Sequence, residues 1–429
     1  MKIDILILYE HVQRELKNAC ILKVLLERKG YTVKIDNVAW RKGLLNLKYM
    51  PKLIISPSCQ DDYGMNYILH NYVGAYSGGY KILNLYSEQL ASSTAENLLS
   101  VKESALNIYH IAWGKYTYDL IMKSGLKDCQ VCITGSQRLD YCREIFKKLN
   151  VDKKTLAKKF NLDIDKKWLL LVGNFPAKDE TKIEYLESVG YNNFKELNIL
   201  TKDTYYELIN WYKALLCDKE LKDKIELIYR PHPNEIVEDI LIDLQKEYSN
   251  FHIISDYVIS DWAINIDFAY IWTSTSSIEI SATNVPIVSL VPLKMKEYFE
   301  MPLVKYIQKI VNIDELLIAT KDVLIKGNVI TNEKFYNELA YYYEETELSA
   351  SENIVNFINK IMASDDYIVK SKFSIFKGLA KTIVYFYEYI LYKLNIGLNK
   401  YLKVRFRDMR SNKYINEYCD SIRVQLFGE

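Results

Sequence analysis

The sequence predicts an α/β protein of two doubly wound, Rossmann-like domains with a C-terminal helical extension, on three observations. Short β-rich apolar runs alternate with amphipathic stretches of helical period, the signature of a parallel sheet with crossover helices. The alternation comes in two blocks, parted by a stretch with six lysines between Lys147 and Lys159. At 429 residues the chain is also too long for one core of ordinary size, since domains cluster at roughly 100–150 residues.

In the first block, strands are expected at 3–9, 31–37, 53–56, 81–86, 107–112 and 130–134. A helix is expected over 14–29, where Leu16, Ala19, Cys20, Leu22 and Leu26 recur at helical spacing and Gly30 supplies a C-cap. The second block gives strands at 168–172, 225–229, 252–255, 268–272 and 286–290, and helices at 204–216, 234–247 and 276–283. Beyond about Asn332 strand signals stop and helical patterns rich in Tyr, Phe and Lys take over. The expected domains are residues 1–150, which would receive the acceptor, 165–330, which would hold the donor, and the extension 331–429, basic and amphipathic over 372–410.

Lys plus Arg (56) nearly cancels Asp plus Glu (55), so no net field points to nucleic acid. Ten Lys and Arg against Glu388 and Asp408 between residues 367 and 410 make the terminal segment locally basic. Seven scattered cysteines fit free thiols in a reducing compartment. Cys129 and Cys132 form a C-x-x-C with no second pair or nearby His, and Cys132, inside an apolar run, reads as a small buried side chain. The first residues lack a signal-peptide pattern, and no run of about 18 uncharged apolar residues occurs. A cytoplasmic location follows as the expectation.

In open α/β sheets ligands gather beyond the carboxyl ends of the strands. There stands Tyr229-Arg230-Pro231-His232-Pro233-Asn234-Glu235. The two prolines fix the backbone around His232. An imidazole that donates a hydrogen bond, beside the Arg230 fork, suits a phosphate, and Asn234 is placed to cap the next helix. The competing reading is a Pro-rich turn with a solvated His. The second feature is Thr273-Ser274-Thr275-Ser276-Ser277, followed by Glu279. Hydroxyls and backbone N–H groups where a helix opens suit an anion. Ser276 and Glu279 have the spacing of a capping box, and Glu279 could equally accept from ribose hydroxyls.

Two doubly wound domains in tandem resemble the GT-B glycosyltransferases, an architecture shared with sugar-nucleotide epimerases. The Arg-Pro-His-Pro motif, the hydroxyl cluster with Glu279 and Pro286-Ile287-Val288 resemble the bacterial surface-carbohydrate transferases that use CMP-sugars, among them capsule Kdo transferases and polysialyltransferases. Trp113-Gly114 with Tyr118, Gly173-Asn174-Phe175 and Thr134-Gly135-Ser136-Gln137-Arg138-Leu139-Asp140 look like further segments of that group, with Ser136 and Gln137 where its Asn and Pro stand. The resemblance covers roughly residues 80–290. It implies nucleotide-phosphate binding by His232, Pro233, Ser276 and Ser277, alongside Arg230, Ser274, Thr275 and Glu279, and transfer of Kdo or another nonulosonic acid from a CMP-sugar to a glycan, free or lipid-linked. CDP-glycerol glycerophosphotransferases carry a comparable Arg-Pro-His-Pro and Ser-Ser cluster, with an Asp where Thr275 stands here. A non-catalytic carbohydrate-binding protein of the same fold is the third reading.

An acceptor hydroxyl needs a base. Glu88, at the end of the 81–86 strand, is the first expectation, and the group's Glu-Gln segment adds to it. Asp61, with Asp62, is the second; a solvated loop is the alternative for both. His110 could line the acceptor side or be a buried, hydrogen-bonded core residue. The five His lack ligand spacing, so no metal and no cofactor beyond the donor are expected. The aromatic, basic segment 372–410, with Lys400 and Arg405, could lie on an anionic membrane leaflet, giving a peripheral position at the inner face. Helices packed on the domains, or a dimer interface, are the alternatives.

Overall fold

The first sheet takes its strands from β1 (Lys2–Tyr9), β2 (Val33–Asn37), β3 (Met50–Ser56), β4 (Gly79–Asn84), β5 (Tyr109–Ala112) and β6 (Val131–Ile133), in the order β2-β1-β3-β4-β5-β6. All five pairings along it are parallel. Such strands are covered on both faces, which is why they read as continuous Ile/Leu runs: Ile5, Leu6, Ile7 and Leu8 are all buried. The computed structural model describes residues 1–38, 42–188, 190–397, 403 and 406–429.

The first crossover is a π-helical turn, Val12–Leu16, running into α1 (Lys17–Arg28). It ends where Gly30 takes φ +90°, with its N–H on the Glu27 carbonyl (2.9 Å), the left-handed stop that Gly adopts without a Cβ penalty. α2 (Asp62–Leu69) and α3 (Lys115–Met122) follow β3 and β5.

The second sheet contains β7 (Lys167–Val172), β8 (Ile225–Arg230), β9 (Phe251–Ile253), β10 (Phe268–Ile271), β11 (Ile287–Leu290) and β12 (Lys309–Ile310), in the order β12-β11-β10-β7-β8-β9. It too is parallel throughout. α4 (Lys153–Phe160) lies in the Lys-rich stretch; α5 (Phe194–Cys217) buries Leu208, Ile209, Trp211 and Leu215 in a core with Leu169, Leu171 and Leu227. α6 (Asp239–Glu247) starts at Glu238 as N-cap, so Asn234, expected to cap it, lies ahead of it. α7 (Ser276–Ser281) and α8 (Ile313–Leu324) flank β11 and β12.

Chain direction sets where a ligand crevice opens. In the second sheet β7 is followed on one side by β8 and β9, while β10, β11 and β12 lie on the other. The topological switch therefore falls between β7 and β10, and in the first sheet between β1 and β3.

The chain divides into two units: Met1–Gln89, Leu99–Asp140 and Tyr341–Glu429 form one, and Leu90–Leu98 with Tyr141–Ala340 the other. The division falls after Asp140 rather than near 150, and the terminal region is part of the first unit rather than a separate extension. It also contains a strand: β13 (Val369–Lys370) pairs antiparallel with the start of β4, against Tyr80 and Gly79. Two residues lent by a remote segment carry no periodic signal. α9 (Ala350–Ala363), α10 (Ile375–Leu394) and α11 (Asn412–Phe427) also belong to this region.

Candidate functional site

Three consecutive strand ends of the second unit meet at its switch point. β7 lies between β8 and β10, with Val172 registered against Arg230 on one side and Ile271 on the other. Neighbouring strands are about 4.8 Å apart, so the loop after β7 separates the Arg-Pro-His-Pro loop from the hydroxyl turn by one strand width each way. Gly173 opens that loop. A Cβ there would come within 2.7 Å of the Tyr229 hydroxyl and 2.9 Å of Glu235 Oε2, so the approach is closed to any larger residue.

Specific bonds tie the three loops together. Glu235 is buried; its Oε2 accepts from the backbone N–H of His232 (3.2 Å) and of Phe175 (3.4 Å), and its Oε1 accepts from the Tyr229 hydroxyl (2.5 Å). Asn174 donates through Nδ2 to the Thr273 carbonyl. Burial raises the Glu235 pKa, opposed by its Tyr229 bond and by Lys178. Sequence reasoning quoted Glu235 without giving it a role; an acid three residues after a loop His was the available signal.

His232 is half-buried. The backbone N–H of Asn234 donates to its Nδ1 (3.1 Å), which fixes the neutral tautomer with the proton on Nε2. Pro231 is buried and Pro233 half-buried on either side.

Arg230 is placed differently from its expected direct phosphate contact. Its guanidinium donates to the carbonyls of Ser255 (3.2 Å), Asp256 (3.3 Å) and Tyr257 (2.6 Å). Burial pulls its pKa down to about 10, against Asp261, Glu279 and Asp256, which favour the charge. The fork thus holds the loop after β9.

Thr273, Ser274 and Ser277 are buried, and Thr275 and Ser276 half-buried. The capping box considered for Ser276 and Glu279 does not form: Thr275 is the N-cap residue and Ser276 already lies in α7. Ser274 Oγ instead accepts from the Ser276 N–H (3.2 Å). Thr273 Oγ1 and Ser277 Oγ are buried with no hydrogen-bond partner among the described residues. Such groups are costly in a closed core. Glu279 is 5% exposed, and its charge acts on Arg230, coupling the hydroxyl turn to the β8 loop.

A cavity of about 260 Å³ opens beside this junction, lined by Asn174, Lys182, Tyr191, Phe194, Trp272 and Thr273 among others. The indole of Trp272 stacks on Phe175 (5.5 Å between centroids, 2° between planes). Its Nε1 is buried without a partner among the described residues. Sequence reasoning missed this cavity, because its walls come from separate segments.

In the first unit, a pocket at the carboxyl end of the sheet is lined by Arg14, Ser87, Trp113, Ser136, Gln137 and Arg138, with others. Glu88 stands at its edge: Arg138 Nη2 donates to Glu88 Oε2 (3.1 Å) and to the Ser87 carbonyl (2.9 Å). Glu88 Oε1 is buried with no donor among the described residues. Gln89 pins the end of β5, donating to the Ile111 carbonyl (3.2 Å) and accepting from the Trp113 N–H (2.7 Å).

Three candidate site residues make structural hydrogen bonds. Asp61 caps α2, its Oδ1 accepting from the Gly64 N–H (3.0 Å). Asp62 accepts from the Ser104 N–H (3.1 Å). Of the two roles open to His110, the structure shows the buried, hydrogen-bonded one and not the acceptor side: Nε2 donates to the Ala105 carbonyl (2.9 Å) and Nδ1 accepts from Asn84 (3.3 Å). Burial pulls its pKa down to about 4.

The other motif segments seat the terminal region on the first unit. Asp140 accepts from the N–H groups of Ala350 and Ser351 (both 2.8 Å), and Gln137 donates to Ser351 Oγ (3.0 Å). A Cβ on Gly114 would meet Tyr342 at 2.6 Å. Cys132 is half-buried and Cys129 exposed, and all seven cysteines are free thiols. Among the described residues, no cluster of three or more His, Cys, Asp or Glu is arranged to hold a metal ion.

No protein-family model matches the sequence, and no curated protein matches it. Solved structures do. The wall teichoic acid polymerase TagF, in a variant soaked with CDPG, aligns with 83% of this chain and 88% of its own at TM-score 0.53 and 12% identity. TagF without the substitution gives 84%, 89%, 0.53 and 12%. The UDP-GlcNAc 2-epimerase of Methanocaldococcus jannaschii, in complex with UDP-GlcNAc and UDP, aligns over 84% and 100% at TM-score 0.49 and 13% identity. With the two parallel sheets, the TagF likeness gives the fold: two Rossmann-like domains of the GT-B kind.

Proposed function

We propose that this chain is a transferase of surface-glycan synthesis that takes its donor from a cytidine nucleotide, with CMP as leaving group. The observation that carries the reading is the junction at the second switch point. There Glu235 joins the His232 loop to the β7 loop, and Asn174 joins the β7 loop to the hydroxyl turn. In this reading the imidazole, donating through Nε2, and the buried hydroxyls of Thr273 and Ser277 serve one phosphate. Arg230 orders the β9 loop and is a positioning residue. Ser274, Thr275 and Ser276 line the turn, and Pro233 holds the imidazole backbone.

The first donor is a CMP-linked nonulosonic acid such as CMP-Kdo. The acceptor hydroxyl oxygen bonds to the anomeric carbon, the bond from that carbon to the phosphate oxygen breaks, and CMP leaves with the electron pair. The acceptor proton passes to a carboxylate. Glu88 is the carboxylate assigned here, since its buried Oε1 has no competing donor among the described residues. Donor groups that hold the phosphate as its charge grows provide most of the remaining acceleration.

A second donor, CDP-glycerol, is favoured by one observation: the TagF structure of like fold was soaked with CDPG. There the acceptor oxygen would attack phosphorus, the bridging P–O bond would break, and CMP would again depart. One CMP-stabilising site serves either reaction.

Incubation of the protein with CMP-Kdo, CDP-glycerol and UDP-GlcNAc in turn, each with a glycan acceptor, tests the proposal. CMP release from the first supports the first donor, and from the second alone the second. UDP release, or no release from any donor, overturns the cytidine reading.

A further inference from the structure

α10 carries its apolar stripe on the outside. Phe376 is 87% exposed, Ile383 62%, Ile390 55% and Leu394 60%, with Leu379, Phe386 and Tyr387 also exposed. These positions recur every three or four residues and so share one face of the helix. The opposite face holds it to the first unit. Gly378 is buried there, a Cβ on Gly43 would come within 2.1 Å of the Gly378 carbonyl, and Thr382 Oγ1 accepts from the Leu44 N–H (2.8 Å). A helix that turns Gly, Thr and Tyr inward and Ile, Leu and Phe outward inverts the usual pattern of a soluble protein, and contiguous exposed apolar surface of this kind marks an interaction site.

The charges select the partner. Between residues 370 and 397 stand five lysines, at 370, 372, 377, 381 and 393, against Glu388 alone. Lys377 flanks the stripe on one side and Lys393 on the other, both exposed. The described residues beyond the helix add Lys403 and Arg407; Lys400 and Arg405, named with them from the sequence, lie outside the described residues. Two copies joined through this face would bring basic borders together. An anionic leaflet takes the apolar side chains between its head groups and neutralises the lysines. Four charged residues in α10 suit a helix lying in the interface plane, about 30 Å long, and no described helix is long and apolar enough to cross a membrane.

We infer that α10 docks the protein in plane on an anionic phospholipid surface, with Phe376, Leu379, Ile383, Phe386, Ile390 and Leu394 inserted and Lys377 and Lys393 at the head groups.

Co-sedimentation of the full chain, without nucleotide, with vesicles of phosphatidylcholine alone and of phosphatidylcholine mixed with phosphatidylglycerol tests this independently of the donor. Binding is expected to the mixed vesicles and to weaken between about 0.1 M and about 1 M salt, as the screening length falls from about 10 to about 3 Å. Lys377→Ala and Lys393→Ala should each weaken partition about fivefold. Phe376→Glu with Ile383→Glu should abolish it, with the thermal melting curve kept because both side chains are exposed. Failure to bind mixed vesicles, equal binding to both vesicle types, or a dimer dispersed by the same double variant would overturn the proposal.

Discussion

The backbone N–H of Asn234 points at Nδ1 of His232, 3.1 Å away. A ring that accepts at Nδ1 carries its neutral-state proton at Nε2, so the loop presets the histidine as a hydrogen-bond donor before any ligand arrives. Glu235, one residue further on, fixes the His232 main chain from below.

Arg230 acts through the loop it holds. A lysine ammonium cannot serve the carbonyls of Ser255, Asp256 and Tyr257 as a planar fork does. Arg230→Lys should lower unfolding free energy by about 1–3 kcal/mol, measured in urea, and weaken CMP binding less than loss of the imidazole does. A large loss of CMP affinity at unchanged stability would reassign the guanidinium to the phosphate.

Glu88→Gln keeps an oxygen for Arg138 and removes the base. CMP release in the presence of acceptor should fall by about 10²–10⁴, with CMP binding by calorimetry unaltered. A rate near wild type would remove Glu88 from the reaction.

Asp61 belongs to the helix, and its variants should say so. Asp61→Ala should cost about 1 kcal/mol of stability, and Asp61→Asn, which can also cap, much less. Neither should slow CMP release per folded molecule. A slow but fully stable Asp61→Asn would contradict the capping assignment.

His110 makes stability depend on pH. Its folded pKa, near 4, lies below the ordinary value of 6.5, so the unfolded chain binds the proton more tightly. Stability is full above pH 6.5 and declines as pH falls toward 4, by up to about 3 kcal/mol. Urea unfolding of wild type and His110→Gln at neutral and acid pH should show that decline reduced in the variant. Equal declines would place the titration elsewhere.

Much of the fold could be read locally, and the reason is burial on both faces. The runs at 3–9, 168–172 and 225–229 are apolar because parallel strands are covered above and below, and each became a strand. What depended on distant partners was not legible. β13 exists only because β4 has a free edge at Tyr80. Nothing around Arg230 announces that carbonyls 25 to 27 residues away will claim its fork. Asp140 looked like part of a loop motif, yet its partners are Ala350 and Ser351. His232 and the hydroxyl turn could be singled out because prolines and clustered hydroxyls at strand ends are local signals. Glu235 and Asn174, which link them, work through tertiary contacts.

Isothermal titration of CMP into wild type and His232→Ala bears most directly on the cytidine-phosphate site. Saturable binding to wild type is expected, falling by about tenfold or more in the variant, as the loss of a charge-assisted hydrogen bond of about 1.5–3 kcal/mol requires. The variant should unfold at the same urea concentration as wild type. Equal CMP affinity in both proteins would contradict the assignment of the proline-flanked imidazole to the phosphate.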